Sequence, residues 1–182
     1  FQVVEIGPGR GPLMLVALRV DGAAGGEAFV SAMRLVFVEP SPVLQATVGQ
    51  LFEPLKPHFA ASLSAVPAGP MLLVANEYLD CLPARQFRRV GNAWRECVIG
   101  LAEARLAFGL AADEPRPPHG AAFTGEVVEV QTGLDLVIAD LASRKAPVRA
   151  LFIDYGLDDR APGDTLRAYR SGQQVPPLET PE

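Results

Sequence analysis

Lysine is nearly missing from this chain: Lys56 and Lys145 are the only two in 182 residues, and the formal net charge is -5. That leaves no basic footprint for nucleic acid and no polybasic patch for a membrane surface. Cysteine and histidine are equally scarce. Cys81 and Cys97 make no disulfide framework, and with only His58 and His119 beside them no Cys/His cluster at metal spacing arises. No metal site is expected, and both thiols read as reduced, in a reducing compartment. No apolar run reaches the length of a membrane span. The longest candidate, residues 12–20, is broken by Arg19 and followed by Asp21.

What is present is a core-forming composition. Hydrophobic residues make up 49% of the chain, which argues against disorder, and the length suits one domain. Positive charge is almost all arginine, and with abundant Ala, Gly and Pro this points to a GC-rich bacterial genome. The chain opens at Phe1 directly into an apolar run and stops inside Pro-rich residues 176–182. It reads as an internal fragment, so the lack of a targeting signal carries no weight.

Residues 1–6 form a short apolar run ending at Gly7 and read as a buried strand. Gly7-Pro8-Gly9-Arg10-Gly11 is a turn. Pro12 sits where a helix starts, its missing N–H costing nothing there. Residues 13–20 continue as an apolar helix, 21–26 as a loop and 27–33 as a short second helix. Residues 34–38 are a second β-rich run. Ser41 is a good N-cap, Pro42 a good first helical residue, and Leu44, Val48, Leu51 and Leu55 recur at helical spacing. Residues 71–75 are a third apolar strand. This alternation implies parallel strands joined by right-handed crossovers.

The middle differs. Residues 84–90 and 94–99, split by Gly91-Asn92-Ala93, read as a β-hairpin. Residues 103–112 suit either a strand or a helix, and 113–120 are a Pro-rich loop. Residues 131–144 read as a helix, with Leu134, Val137, Ile138 and Leu141 on one face. Residues 148–153 are a fourth parallel-type strand, and 163–182 read as mostly irregular. The expected whole is an α/β, doubly wound, Rossmann-like sheet in one domain, residues 1–182. Within it, 84–120 form a hairpin and loop excursion and 157–182 a substrate-side segment.

Ligands of open α/β sheets bind just beyond the carboxyl ends of the strands. Chemistry is therefore expected where residues 7–11, Glu39, residues 76–80 and residues 154–156 converge. A Gly-rich turn lets a ligand approach the backbone, and the helix start offers free N–H groups to an anion. The spacing is G-x-G-x-G, not the G-x-G-x-x-G of a dinucleotide site. With Glu5 just before the glycines it has the usual shape of the first motif of class I methyltransferases. The plain alternative is a tight turn without a ligand.

Glu39 closes the second strand, where a two-oxygen acceptor can take both ribose hydroxyls of a nucleoside; the alternative is a solvated loop carboxylate. Asn76, Glu77 and Asp80 put two carboxylates and an amide within five residues. Paired carboxylates can orient a guanidinium, whereas Asn76 or Asp80 could equally cap a turn. Asp154 is placed to take a proton or bind a target nitrogen, and Tyr155 to stack on a ring or cation; structural caps are the alternative. His58 and His119 read as solvated, Phe87 and Trp94 as hairpin packing, and Cys81 as inert.

In this order the clusters resemble the MidA family. The matching stretches are residues 5–14 (EIGPGRGPLM), 38–42 (VEPSP), 76–87 (NEYLDCLPARQF), 152–156 (FIDYG) and 163–170 (GDTLRAYR). The third and the last two are the most specific, and the likeness spans nearly the whole chain. It implies a class I methyltransferase fold with S-adenosylmethionine as cofactor. As in the family's mitochondrial complex I assembly factor, it also implies arginine methylation of a complex I subunit.

Carried over by position, Gly7, Gly9 and Gly11 line the methionine end of the cofactor and Glu39 holds the ribose. Glu5 and Asn76 join the cofactor side. Asn76, Glu77 and Asp80 face the substrate channel, with Asp154 a further catalytic candidate. One departure stands out: Ser171-Gly172-Gln173 occupies the place where the family shows a Gly-His pair. The implied partner is a protein, with no nucleic acid and no membrane insertion, and a homodimer is compatible with the sequence. The implied location is the bacterial cytoplasm, or the mitochondrial matrix for a eukaryotic chain. A rival reading is a non-catalytic, cofactor-binding assembly factor or chaperone of complex I. An NAD-dependent oxidoreductase is disfavoured by the glycine spacing.

Overall fold

The computed structural model describes residues 1–23, 26–112, 126–156 and 164–178. The Pro-rich loop read at 113–120 with its His119, and residues 157–163 and 179–182 of the substrate-side segment, lie outside the described residues. In chain order the elements are β1 (Gln2–Ile6), α1 (Pro12–Ala23), α2 (Glu27–Ala32), β2 (Arg34–Val38), α3 (Pro42–Leu51), β3 (His58–Ala60) and β4 (Met71–Asn76). They continue with β5 (Ala84–Val90), β6 (Ala93–Ala102), β7 (Arg105–Leu110), β8 (Val127–Gln131), α4 (Leu134–Ala142), β9 (Val148–Ile153), β10 (Ala168–Arg170) and β11 (Gln173–Val175). The chain divides into two compact units. One contains residues 1–82 and 133–156, the other residues 83–132 and 157–182.

The first unit is a five-stranded, wholly parallel sheet in the order β3-β2-β1-β4-β9. The chain runs outward from β1 to β3, then returns to β4 on the other side of β1, so the direction of winding switches between β1 and β4. A parallel strand covered on both faces has no need to alternate, and all five residues of β1 are buried. Its even and odd positions feed two separate cores. Val4 and Ile6 pack with Val36, Val38, Leu73, Ala75 and, from α4, Val137. Val3 packs with Leu35, Phe37 and Phe52, and with Met14 of α1 and Val48 of α3. Helices therefore cover both faces, the doubly wound arrangement. Each such buried Val, Leu or Met side chain contributes roughly 1.5–3 kcal/mol.

The second unit holds a four-stranded antiparallel sheet in the order β7-β6-β5-β8 and the β10-β11 ribbon. Phe87 is fully buried in it with the Arg85 guanidinium 5.1 Å from its ring centre, and Arg89 lies 5.6 Å from the ring centre of Trp94.

Several expectations are corrected. The parallel sheet has five strands rather than four, because His58–Ala60 pairs in register with residues 36–38. His58, read as solvated, is exposed and opens this strand. α1 continues through Ala23, past the loop expected from residue 21. Residues 103–112 hold a strand, β7, paired with β6 across a two-residue turn. The helix read at 131–144 begins only at Leu134, and the residues before it form β8. The break falls at Thr132, whose N–H and hydroxyl both donate to the Pro83 carbonyl at 2.9 and 3.1 Å. Residues 168–175, read as irregular, form the β10-β11 hairpin.

Candidate active site

The chain turns as soon as β1 ends. Gly7, Gly9 and Gly11 have φ of 66°, 56° and 85°, left-handed values that favour glycine. The Gly11 N–H donates to the Pro8 carbonyl at 2.8 Å, and the Gly11 carbonyl accepts the first bond of α1 from Leu15 at 3.2 Å. A Cβ built on Gly9 would meet nothing within 4 Å, so this turn faces open space. The Gly7 N–H donates to the Val38 carbonyl at 3.1 Å, which carries the β1-β2 ladder one step further and sets Glu39 beside the turn.

Glu39 is buried and tightly held. Its N–H donates to the Ala60 carbonyl at 3.0 Å, and its own carbonyl accepts Gln45 Nε2 at 2.6 Å. Its Oε1 accepts the Ser41 N–H at 2.8 Å. Ser41 in turn caps α3, accepting the Leu44 N–H at 3.4 Å. The capping sequence that starts the helix thus also orients the carboxylate. Glu5 is 3% exposed, between Phe37 and Val74 on the neighbouring strands. Burial pushes its carboxyl up to about 7, and its Oε2 is buried with no hydrogen-bond partner.

Asn76 ends β4 opposite Ile153 of β9. The next residue, Glu77, takes a left-handed φ of 49°, and its N–H donates to the Ile153 carbonyl at 2.9 Å. The Tyr78 ring lies 3.8 Å from where a Gly7 Cβ would stand, joining the first turn to the segment after β4. Residues 79–81 make one tight helical turn. Asp154 secures it from β9: its Oδ2 accepts the N–H groups of Leu79 and Asp80 at 2.7 and 3.4 Å, and its Oδ1 accepts the Tyr155 N–H at 3.0 Å. The Tyr155 hydroxyl donates to Asp80 Oδ2 at 2.5 Å. That bond, and the charge of Asp80, hold the phenol up at about 12. Cys81 is exposed, its Sγ donating to the Glu77 carbonyl at 3.8 Å. Burial, then Asp80, push its thiol up, away from thiolate chemistry.

The candidate cofactor and catalytic residues therefore lie at the carboxyl ends of β1, β2, β4 and β9, around the switch point, with Glu5 one residue inside the end of β1. Gln45 and Tyr78 were not singled out, because a helix glutamine and a tyrosine carry no motif. Among the described residues, no group of three or more His, Cys, Asp and Glu is placed to hold a metal ion. No helix among them is long and apolar enough to cross a membrane.

A nucleoside sulfonium cofactor fits these residues. The open turn at Gly9 admits a backbone approach, the fixed Glu39 carboxylate suits a diol, and Glu5, two residues before the turn, keeps a buried oxygen without a partner. The doubly wound parallel sheet and its switch-point residues define a Rossmann-like methyltransferase fold. The chain belongs to the family described as "Putative S-adenosyl-L-methionine-dependent methyltransferase", which matches residues 1–181.

Similar proteins include the mitochondrial protein arginine methyltransferase NDUFAF7 of mouse, 31% identical over 95% of this chain and 46% of its own length. The zebrafish protein of that name is 28% identical over 100% and 50%. The chain thus spans about half the length of the curated relatives it matches. Among solved structures, a Burkholderia thailandensis protein aligns with a TM-score of 0.75 at 20% identity, covering 97% of this chain and 51% of its own. A second structure from that organism, of a likely methyl transferase bound to S-adenosyl-homocysteine, aligns with a TM-score of 0.63 at 23% identity over 86% and 42%.

Proposed function

We propose that this chain is the catalytic portion of a methyltransferase that transfers the methyl of S-adenosylmethionine to an arginine of a protein. The observation that carries the reading is the buried Glu39 carboxylate, fixed by the Ser41 N–H beside the open turn at Gly9. Gly7, Gly9 and Gly11 form the cradle for the methionine end, Glu39 accepts the ribose hydroxyls, and Glu5 and Asn76 complete the cofactor side. When bound, the cofactor supplies an electrophilic methyl: a nitrogen lone pair forms the new C–N bond as the C–S electron pair stays with sulfur.

The chain's part is alignment and charge. Glu77 and Asp80 accept guanidinium N–H bonds and turn one nitrogen toward the methyl. Both are exposed, so the proton that nitrogen loses passes through a carboxylate to solvent. Asp154 serves by holding the turn that carries Asp80. The names of the mouse and zebrafish relatives support an arginine substrate, and a complex I subunit, a homodimer and a bacterial cytoplasmic or mitochondrial location belong to the same proposal. Residues 1–182 act in it as one methyltransferase domain.

The test is calorimetric titration of S-adenosylmethionine into the full-length protein, wild type beside Glu39→Ala. Micromolar affinity, about -8 kcal/mol, reduced about tenfold or more by the substitution, supports the reading. A folded wild type that does not bind overturns it. Binding without any transfer to arginine turns the reading to a cofactor-binding assembly factor.

A further inference from the structure

We infer that Tyr155 is a positioning residue for Asp80: its hydroxyl, 2.5 Å from Asp80 Oδ2, fixes the carboxylate that receives the substrate guanidinium. The inference rests on the arginine-methylation reading and adds to it a residue that acts without touching the cofactor.

Three observations support it. Tyr155 is 72% exposed, so its ring is not held there by burial, and among the described residues its hydroxyl bonds Asp80. Its backbone is fixed as well, through its N–H to Asp154 Oδ1 at 3.0 Å. The same Asp154 carboxylate takes the Leu79 and Asp80 N–H groups on its other oxygen. Asp80 is thus gripped twice from the end of β9, at its backbone by Asp154 and at its carboxylate by Tyr155. A short aspartate on an exposed single turn otherwise samples several rotamers. With Oδ2 occupied by the phenol, Asp80 meets a guanidinium chiefly through its other oxygen, so a two-point grip on the substrate requires Glu77 as the second carboxylate. Glu77 is itself fixed by the left-handed backbone and the Ile153 carbonyl.

The experiment uses full-length protein saturated with S-adenosyl-homocysteine, with Nα-acetyl-arginine amide as the probe titrated by NMR. The variants are Tyr155→Phe, Tyr155→Ala, Asp80→Asn and the Tyr155→Phe/Asp80→Asn double variant. Tyr155→Phe keeps the ring and removes only the hydroxyl. It is expected to weaken the probe about five- to tenfold, no less than Tyr155→Ala, while S-adenosyl-homocysteine affinity stays within about twofold. The double variant is expected to be no weaker than Asp80→Asn alone, the non-additivity of two groups acting as one; a merely structural tyrosine gives additive losses. In 13C-tyrosine spectra, Asp80→Asn is expected to move the Tyr155 titration from about 12 toward the ordinary 10.

Equal probe affinity in wild type and Tyr155→Phe overturns the inference, as do additive losses. So does a wild type that binds S-adenosyl-homocysteine but not the probe, which leaves the cofactor assignment standing. A wild type that binds neither overturns the methyltransferase reading itself.

Discussion

Gly11 and Phe52 are packed so closely that nothing larger than hydrogen fits between them: a Cβ on Gly11 would stand 2.9 Å from Phe52 Cε2 and 3.1 Å from Leu51 Cδ2. The third glycine of the turn thus serves helix packing, with α1 lying against the end of α3, while Gly9 faces open space. The two therefore separate in a substitution experiment. Gly11→Ala meets a left-handed φ of 85° and a clash together, and is expected to cost roughly 2–4 kcal/mol of stability in urea unfolding. Gly9→Ala meets only the backbone strain, about 1 kcal/mol. Its larger effect is expected in calorimetry, as a loss of S-adenosylmethionine affinity. Equal destabilisation by the two would contradict the division of roles.

Glu5 gives the protein a pH-dependent stability of definite sign. Its carboxyl titrates at about 7 in the folded chain against the ordinary 4.5, because its surroundings on β1 are apolar. Between those values the folded state keeps a proton that the unfolded state has lost. The contribution is full below about 4.5 and declines as pH rises through about 7, by roughly 3 kcal/mol in all. Urea midpoints of wild type are expected to fall from pH 5 to pH 8, with a flatter profile for Glu5→Gln. A parallel decline in the two proteins assigns the slope to other groups.

Arg144 closes the carboxyl end of α4 against the turn before β4. Its guanidinium donates to the carbonyls of Leu63 at 2.7 Å, Val66 at 3.2 Å and Pro67 at 3.3 Å. Three carbonyls and a planar fork make this a site lysine cannot reproduce. Arg144→Leu is expected to lower stability by about 2 kcal/mol, and Arg144→Lys to recover less than half, read from thermal or urea unfolding. Full recovery by lysine would show that charge alone matters there.

The buried strands of the parallel sheet were legible because each is an uninterrupted apolar run closed by a polar or glycine residue. His58–Ala60 was not, since three residues carry no period and only the pairing with β2 makes them a strand. β7 was ambiguous for a different reason. Its turn from β6 is Glu103-Ala104, both left-handed at 51° and 62°, where a hairpin normally shows Asn or Gly. The candidate site residues could be placed from the sequence because they follow the apolar strands. The ties between them were not: Asp154 reaches Leu79 across 75 positions, and the left-handed backbone of Glu77 leaves no mark in a glutamate codon. Local chemistry shows which side chains arrive at the switch point, and long-range hydrogen bonds decide how they are held.

That strained backbone yields the sharpest separation of stability from activity. Glu77 is neither glycine nor asparagine, yet it holds φ 49° at the end of β4, a conformation costing about 1 kcal/mol or more for a residue with a Cβ. Strain of this kind persists where the surroundings enforce it, here through the N–H bond to Ile153. Glu77→Gly removes both strain and carboxylate, whereas Glu77→Ala removes the carboxylate alone. Glu77→Gly is expected to be about 1 kcal/mol more stable than Glu77→Ala, while the two lose arginine-directed activity to the same extent and keep S-adenosylmethionine affinity. Activity retained in both variants would remove Glu77 from the substrate clamp. A glycine variant no more stable than the alanine would show that the left-handed turn is not strained. Only the predicted combination means that the protein sacrifices stability at this position to present a carboxylate.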